Sequence, residues 1–406
     1  MTLRIRAART SAEFATAIGP IGHYFGHTWT SEDLERLGQL LPFDRALAAF
    51  DGDAVVGGAG SFPFELSVPG AQLPCAGVTV VGVLPTHRRR GILDRMMRAQ
   101  LADIRERGEP LAALWASEET IYGRFGYGLA AQDVMVEASR VHAALRSELP
   151  GRVGATRLVD HDEALRLFPR VYDRVRRRTP GFVSRTKAWW ELRKLGDRPE
   201  VRRGAGVLNR VVLEIDGRPV GYALYRIKLQ FEGALNTSRV VVLEAIGETP
   251  EATREIWRYL LAIDWVAEIE CELLPADHPL FLLVQRPNRL SWKVVDGLWL
   301  RLVDVGAALT ARAAASDGRV SFDVCSDPVL PDNVGIWTVE GGVARKSRRR
   351  ADIRLDVQAL ACAYLGGFTF AELARAGRVE EVARGGIARA DALYRVDAKP
   401  WCPEIF

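Results

Sequence analysis

Residues 80–93 read VVGVLPTHRRRGIL, an apolar strand pattern that breaks into three arginines and a glycine just as a helix begins. That order is how a chain builds a pyrophosphate site. The first N–H groups of a helix lack intrahelical partners and carry partial positive charge, so they receive phosphate oxygens directly. Gly91 lets the backbone approach closely, while Arg88, Arg89 and Arg90 add full charges around it. In the helix that follows, Ile92, Met96, Met97, Leu101 and Ile104 fall on one stripe, and Gly108 supplies the stop.

Two common phosphate loops are absent. A Walker loop ends in Gly-Lys-Ser/Thr and a dinucleotide fingerprint needs three spaced glycines. What remains, Arg88-x-x-Gly91-x-Leu93 after a strand, resembles the acyl-CoA motif of the GNAT N-acetyltransferases, Arg/Gln-x-x-Gly-x-Gly/Ala. Leu93 departs from the small final residue, so the close approach falls to Gly91 and its neighbouring peptides. Arginine runs before helices are also often plain solvated faces. The next segment decides between the two: LAALWAS (111–117) reads as a buried strand and EETIYGRFGYG (118–128) as a short helix bearing tyrosines. Strand, phosphate loop, helix, strand and Tyr-bearing helix is the order of a GNAT core, with Tyr127 read as sheet-end packing.

Three segments, PTHRRRGIL, ALWASEETIYGRFGYG and SWKVVDGLWLRLVDV (291–305), resemble the enhanced intracellular survival (Eis) acetyltransferases. The resemblance runs along the whole chain in segment order and ends on a matching C-terminus, EIF. It implies a mixed α+β and α/β fold: two tandem GNAT-like domains with mixed central sheets flanked by helices, then a C-terminal sterol-carrier-like α+β domain. It also implies an acetyl-CoA-dependent N-acetyltransferase acting on amines of polybasic acceptors, aminoglycoside-like or lysine-like. Tyr122 would be the general acid and the α-carboxylate of Phe406 the general base. Acetyl-CoA would contact Val81, Gly82 and Val83, then Arg88, Arg89, Arg90, Gly91, Ile92, Leu93 and Asp94, and finally Ser117 and Glu118. A homo-oligomer, a hexamer, is expected on the same ground.

At 406 residues the chain exceeds one ordinary core, so two or three domains are expected. Residues 1–145 form the catalytic module, with a hairpin at Asp51-Gly52 and a helix begun by Ser31 with Glu32 and Asp33 in its first turn. Residues 150–290 repeat that plan: VVLEID, Asp216-Gly217 and RPVGYALYRI mirror the hairpin, and VVVLEAIGETPEATREIWRYLLAID mirrors strand, loop and helix. There the loop holds Glu248 and Glu251 in place of arginines; both suit a helix start and repel a pyrophosphate. A degenerate module without CoA is therefore expected. Residues 291–406 alternate strands and helices and form the third domain.

The formal net charge of +4 is small for this size and argues against a nucleic-acid partner; the basic runs 176–178 and 345–350 read as solvated faces. No apolar stretch approaches the ~18 residues of a membrane span. Five scattered cysteines without CxxC spacing read as reduced thiols of a cytoplasmic protein, and six histidines form no metal motif, so no metal is expected.

The chemistry sets its own limits. A phenol (pKa ~10) is a weaker acid than a thiol (~8.5), so a hydrogen bond to the departing sulfur suffices. A terminal carboxylate (~3.5) lies ~7 units, roughly 9 kcal/mol, below a lysine-like ammonium, so burial or a bridging water must help it act as base. Trp401, Pro403, Ile405 and Phe406 form an apolar tail able to dock, with Glu404 a candidate partner for a polyamine. Trp29 and the cluster His23, Tyr24 and Phe25 read as core packing, with a pocket wall as the alternative. A non-catalytic carrier or sensor of acyl-CoA or an apolar ligand is the competing function.

Overall fold

The computed structural model describes residues 3–26 and 28–406. The N-terminal strands are β1 (Leu3–Ala7), β2 (Ala46–Asp51), β3 (Ala54–Val68), β4 (Ala71–Val83), β5 (Leu111–Trp115) and β6 (Gly128–Leu129). Next come β7 (Gln132–Ser139), β8 (Ala155–Leu158), β9 (Asn209–Ile215), β10 (Arg218–Lys228), a small hairpin of β11 (Phe231–Glu232) and β12 (Leu235–Asn236), β13 (Arg239–Gly247), β14 (Glu268–Pro275) and β15 (Leu290–Asp296). Beyond β16 (Leu298–Leu302) lie β17 (Arg319–Val324), β18 (Gly335–Glu340), β19 (Val343–Lys346), β20 (Ile353–Leu355) and β21 (Val379–Glu381).

Among the described residues the first sheet runs β1-β2-β3-β4-β5-β16-β6 and the second β15-β7-β14-β13-β10-β9-β8. Each is antiparallel except at one step, β4 beside β5 in the first and β13 beside β14 in the second. The second sheet thus repeats the first, as its sequence pattern predicts. At Asp216-Gly217 both residues take positive φ between the paired Ile215 and Arg218, as a tight hairpin requires.

Three strands sit where a linear division of the chain does not put them. β7, inside residues 1–145, pairs with β14 and β15 in the second sheet; β15, all but its first residue inside residues 291–406, stays in that second sheet; and β16, inside residues 291–406, pairs with β5 and β6 in the first. A strand joins whichever edge leaves its N–H and C=O groups unpaired, whatever its place in sequence. Leu298, Leu300 and Leu302 of β16 are fully buried there. Two compact units result: Met1–Ala131 with Gly297–Asp397 and Glu404–Phe406, and Gln132–Asp296 with Ala398–Pro403. Within the first unit the third sheet, β19-β18-β17-β20-β21, and its helices form the α+β C-terminal part.

Helix α1 (Ser11–Phe25) lies directly on the first sheet: a Cβ added at Gly58 would come 1.7 Å from the Ala17 carbonyl oxygen. α2 (Ser31–Gly38) is capped by Thr30, not Ser31, because Thr30 and Asp33 form a reciprocal capping box. α3 (Ile92–Glu106) buries the expected stripe, plus Gln100, whose amide donates to the Gly60 carbonyl at 3.0 Å. One turn of helix, α4 (Glu119–Tyr122), carries Tyr122. Inside this unit one terminal nitrogen of Arg45 donates to both carboxylate oxygens of Glu109 at 2.8 and 2.7 Å, and one of Arg301 on β16 to both of Asp327 at 2.6 and 2.7 Å; both arginines are buried.

In the second unit α5 (His161–Arg176) and α7 (Pro250–Leu261) cover the sheet, with one turn, α6 (Lys187–Trp189), between them. The acidic loop before α7 is closed by its own ion pairs: Glu248 meets Arg174 at 2.9 Å and Arg218 at 2.7 Å. Among the described residues no helix is long and apolar enough to cross a membrane.

One group in this unit works against stability. Asp133 on β7 is fully buried, neither carboxylate oxygen has a hydrogen-bond partner, and burial, helped by Asp296, pushes its pKa up to about 8. A carboxyl raised above its unfolded value (~3.9) keeps its proton on folding, so stability is greatest below about pH 4 and declines as pH rises towards 8, by at most ~5.6 kcal/mol. Asp133→Asn removes this dependence. The melting temperature of the variant should gain on the wild type between pH 5 and pH 8; a gap that does not change with pH would contradict the assignment.

Candidate active site

The site begins where the first sheet comes apart. β4 and β5 pair only at Cys75–Leu111, Ala76–Ala112 and Gly77–Ala113. Beyond Gly77, β4 continues along β3 as far as Val83, with a bulge at which Val80 takes φ 49°, while β5 stays on β16. The facing backbone groups of residues 78–83 therefore lack a strand partner on that side. Buried N–H and C=O groups require one, so such a gap is a place for a ligand with amide groups of its own.

A cleft of about 540 Å³ opens at this point. Val81, Gly82 and Val83 border it from the strand, Arg88, Arg89, Gly91, Ile92, Leu93 and Asp94 from the loop, and Ser117, Glu118 and Tyr122 from the far side. Of the expected contacts only Arg90 does not border the cleft; its side chain is exposed. The Val83 carbonyl already accepts a 2.5 Å hydrogen bond from the Tyr24 hydroxyl.

The loop has the conformation of an anion cradle. After a 3₁₀ turn, Pro85–His87, both Arg89 (φ 60°) and Gly91 (φ 74°) are left-handed, and Gly91 caps α3. Left-handed residues alternating with right-handed or extended ones turn successive N–H groups inward, ahead of the helix dipole. Arginine pays a steric cost in that region which glycine does not.

Tyr122 and Phe406 meet the parting strands from opposite sides. Tyr122 belongs to the core cluster of Ala76, Val78, Met97 and Leu114, the face that α3 covers. Phe406 is on the other face: a Cβ on Gly77 would lie 3.2 Å from its ring and 2.4 Å from that of Phe64. Neighbouring residues of a strand project to opposite faces, so Ala76 and Val78 mark one side and Gly77 the other. Phe406 is 9% exposed, and its ring stands edge-on to Phe64 with centroids 5.0 Å apart. The chain end is thus docked at the last β4–β5 pair. Burial, with a smaller contribution from Glu118, pushes the Tyr122 phenol up to about 12. Tyr127 packs against it at 6.0 Å and is fully buried.

Six further residues line the cleft that the motif alone does not indicate: Ile21, Tyr24, Phe25, His87, Ile121 and Arg124. Tyr24 and Phe25 are 44% and 66% exposed, so they form cleft wall and not core. The sequence does hint at this wall, because the Gly57-Gly58 pair in β3 signals a helix backbone pressed on the sheet; it does not say which helix. Trp29 is half-buried and does not border the cleft, and Glu404 is buried.

Comparison with known proteins agrees with this geometry. An acetyltransferase (GNAT) domain profile matches residues 4–130, a second one residues 181–302, and a sterol carrier protein domain profile residues 305–403. An uncharacterized N-acetyltransferase of Streptomyces avermitilis is 39% identical over 93% of both chains. The N-acetyltransferase Eis of Mycobacterium tuberculosis is 33% identical over 88% of each. The crystal structure of Eis1 from Mycobacterium abscessus superposes over 100% of both chains with a TM-score of 0.86 at 34% identity. The chain therefore belongs to the Eis-like GNAT N-acetyltransferases, enzymes with two GNAT domains followed by a sterol-carrier-like domain.

Proposed function

We propose that this N-acetyltransferase moves the acetyl group of acetyl-CoA onto amines of polybasic acceptors, with Tyr122 serving the leaving sulfur and the Phe406 carboxylate serving the amine. The observation that carries the reading is the placement of Tyr122 and the chain terminus on opposite faces of the sheet, at the point where β4 and β5 part. Family membership leaves the alternative of a non-catalytic carrier without support.

The residues present suit acetyl-CoA. The loop N–H groups with Arg88 and Arg89 match a pyrophosphate, and the unpaired edge at Val81 and Gly82 matches the amides of a pantetheine arm. In the reaction the acceptor nitrogen attacks the thioester carbonyl carbon. A C–N bond forms, the C–S bond breaks, the nitrogen gives up a proton, and the sulfur leaves as the thiol. A phenol near 12 lies above a thiol (~8.5) by roughly 3.5 units, or about 5 kcal/mol, so Tyr122 acts by donating a hydrogen bond as charge grows on sulfur and not by surrendering its proton early. The terminal carboxylate faces the larger gap to an ammonium. Its share is to bind and orient the amine and to accept the proton, directly or through a water. Five free cysteines among the described residues accord with a cytoplasmic enzyme, and a hexamer is part of the same reading.

Tyr122→Phe should lower kcat by about 10²-fold while leaving the acetyl-CoA KM within a few-fold, measured as thiol release with a panel of polyamines and aminoglycosides. Wild-type turnover would remove Tyr122 from the chemistry. Because the phenol stays protonated, the kcat profile should show no fall due to Tyr122 up to about pH 10. A descending limb that vanishes in Tyr122→Phe would refute this. Deleting Phe406, or extending the chain beyond it with a tag, should abolish most turnover while calorimetry still detects coenzyme A binding; full activity behind a long tag would exclude the terminal base.

A further inference from the structure

The second unit holds a cavity of about 380 Å³ whose border carries five arginines. Arg166, Arg170 and Arg174 come from α5, Arg157 from β8 and Arg218 from the first position of β10. The three on α5 stand at every fourth position, so they share one face of the helix with a rise of about 6 Å between neighbours. Arg157 and Arg218 enter the same space from the strands. The tight turn at Asp216-Gly217 brings Arg218 back towards α5, and Asp216 itself does not border the cavity.

Three carboxylates meet this cluster. Glu163 accepts from both terminal nitrogens of Arg157 at 2.9 Å and from Arg166 at 3.3 Å, while Glu214, on the border, accepts from Arg157 at 3.0 Å. Glu248 meets both Arg174 and Arg218. Five cations against these three anions leave a surplus of two. Arg170 is exposed and has no hydrogen bond or ion pair with any described residue. Arg166 and Arg218 each reach their carboxylate through a single nitrogen, and their side chains are 60% and 59% exposed. A guanidinium carries five N–H donors, so both keep most of theirs for a further acceptor.

We propose that this cavity is a binding site for a linear oligophosphate, laid along Arg166, Arg170 and Arg174 and closed in by Arg157 and Arg218. The planar fork of a guanidinium matches phosphate oxygens two at a time. Three such forks spaced by one helical turn suit an extended chain of anions better than one compact anion. Exposed ion pairs contribute little, so Glu163 and Glu214 compete only weakly with a multiply charged ligand. The site differs in kind from the arginine loop of the first unit. In that loop the start of a helix faces the cleft; here Glu248 occupies the corresponding loop, and the cations stand on α5 and the strands instead. Free inorganic oligophosphate and the phosphate chain of a nucleotide share this chemistry. Nothing in the inference depends on how acetyl transfer proceeds.

Titration calorimetry of the full chain with tripolyphosphate at low salt tests the site, with coenzyme A added first to occupy the loop at residues 88–90. Arg166→Gln and Arg170→Gln should each weaken binding by about tenfold, and the two together by about a hundredfold, since each removes charge-assisted hydrogen bonds. Any binding at residues 88–90 survives both substitutions and is told apart in this way. Arg349→Gln, in the exposed run 345–350, should leave the affinity unchanged. Glu214→Gln should tighten binding by about threefold, because an anion leaves the border; loss of a merely structural ion pair gives no such gain. The substituted arginines are exposed, so the melting temperature should stay near that of the wild type. In a parallel titration, ATP binding no tighter than tripolyphosphate assigns recognition to the phosphate chain alone, and ATP binding more than about tenfold tighter assigns a nucleotide as the source. No heat with either ligand, or affinities that Arg166→Gln and Arg170→Gln lower no further than Arg349→Gln does, would overturn the proposal.

Discussion

The parallel pairing of β4 and β5 lasts only three residues, and the rest of the catalytic module follows from that interruption. Two neighbouring strands zip together unless something prevents it, because each further pair satisfies buried N–H and C=O groups. Here the bulge at Val80 bends β4 away, and β16 satisfies the other edge of β5, so neither strand has to return to the other. The edge of β4 beyond Gly77 is left open on that side. The loop from Arg88 to Asp94 and Tyr122 border the cleft there, and Phe406 packs at its last strand pair.

The second module shows what such a gap is worth without the charge. β13 and β14 also pair in parallel only briefly, from Arg239–Glu268 to Val242–Cys271. The strand-to-helix loop, however, carries Glu248, and this carboxylate takes up Arg174 and Arg218. Both modules keep the backbone plan; the sign of charge at one helix N-terminus separates them. The same module also buries charge on β13, where Glu244 takes Arg185, Lys194 and Tyr222 as partners.

Much of this was legible from residue order. The α3 stripe, the loop from Arg88 to Asp94, the hairpin at Asp216-Gly217 and the docked apolar C-terminus each rest on local rules: helical period, left-handed turn residues and the apolar character of a short segment. Misreadings fall where distant segments decide. Tyr24 and Phe25 look like core residues in an apolar helix, yet α1 is aimed by its contact at Gly58 so that its C-terminal end reaches the cleft. Arg90 is indistinguishable from its neighbours in sequence, but the left-handed turn at Arg89 leaves it off the cleft border.

Sequence alone determined the local elements: a glycine and arginines at a helix start, a tyrosine on the short helix after the next strand, and an apolar segment at residues 401–406. These depend on groups close together in the chain. Tertiary structure alone decided that β7 and β16 take places in sheets away from their sequence neighbours, and that Tyr122 and Phe406 stand on opposite faces of one strand. Strand edges, buried carboxylates and glycine surfaces are satisfied by whichever segment reaches them in space. No pattern of residues along the chain states which segment that is.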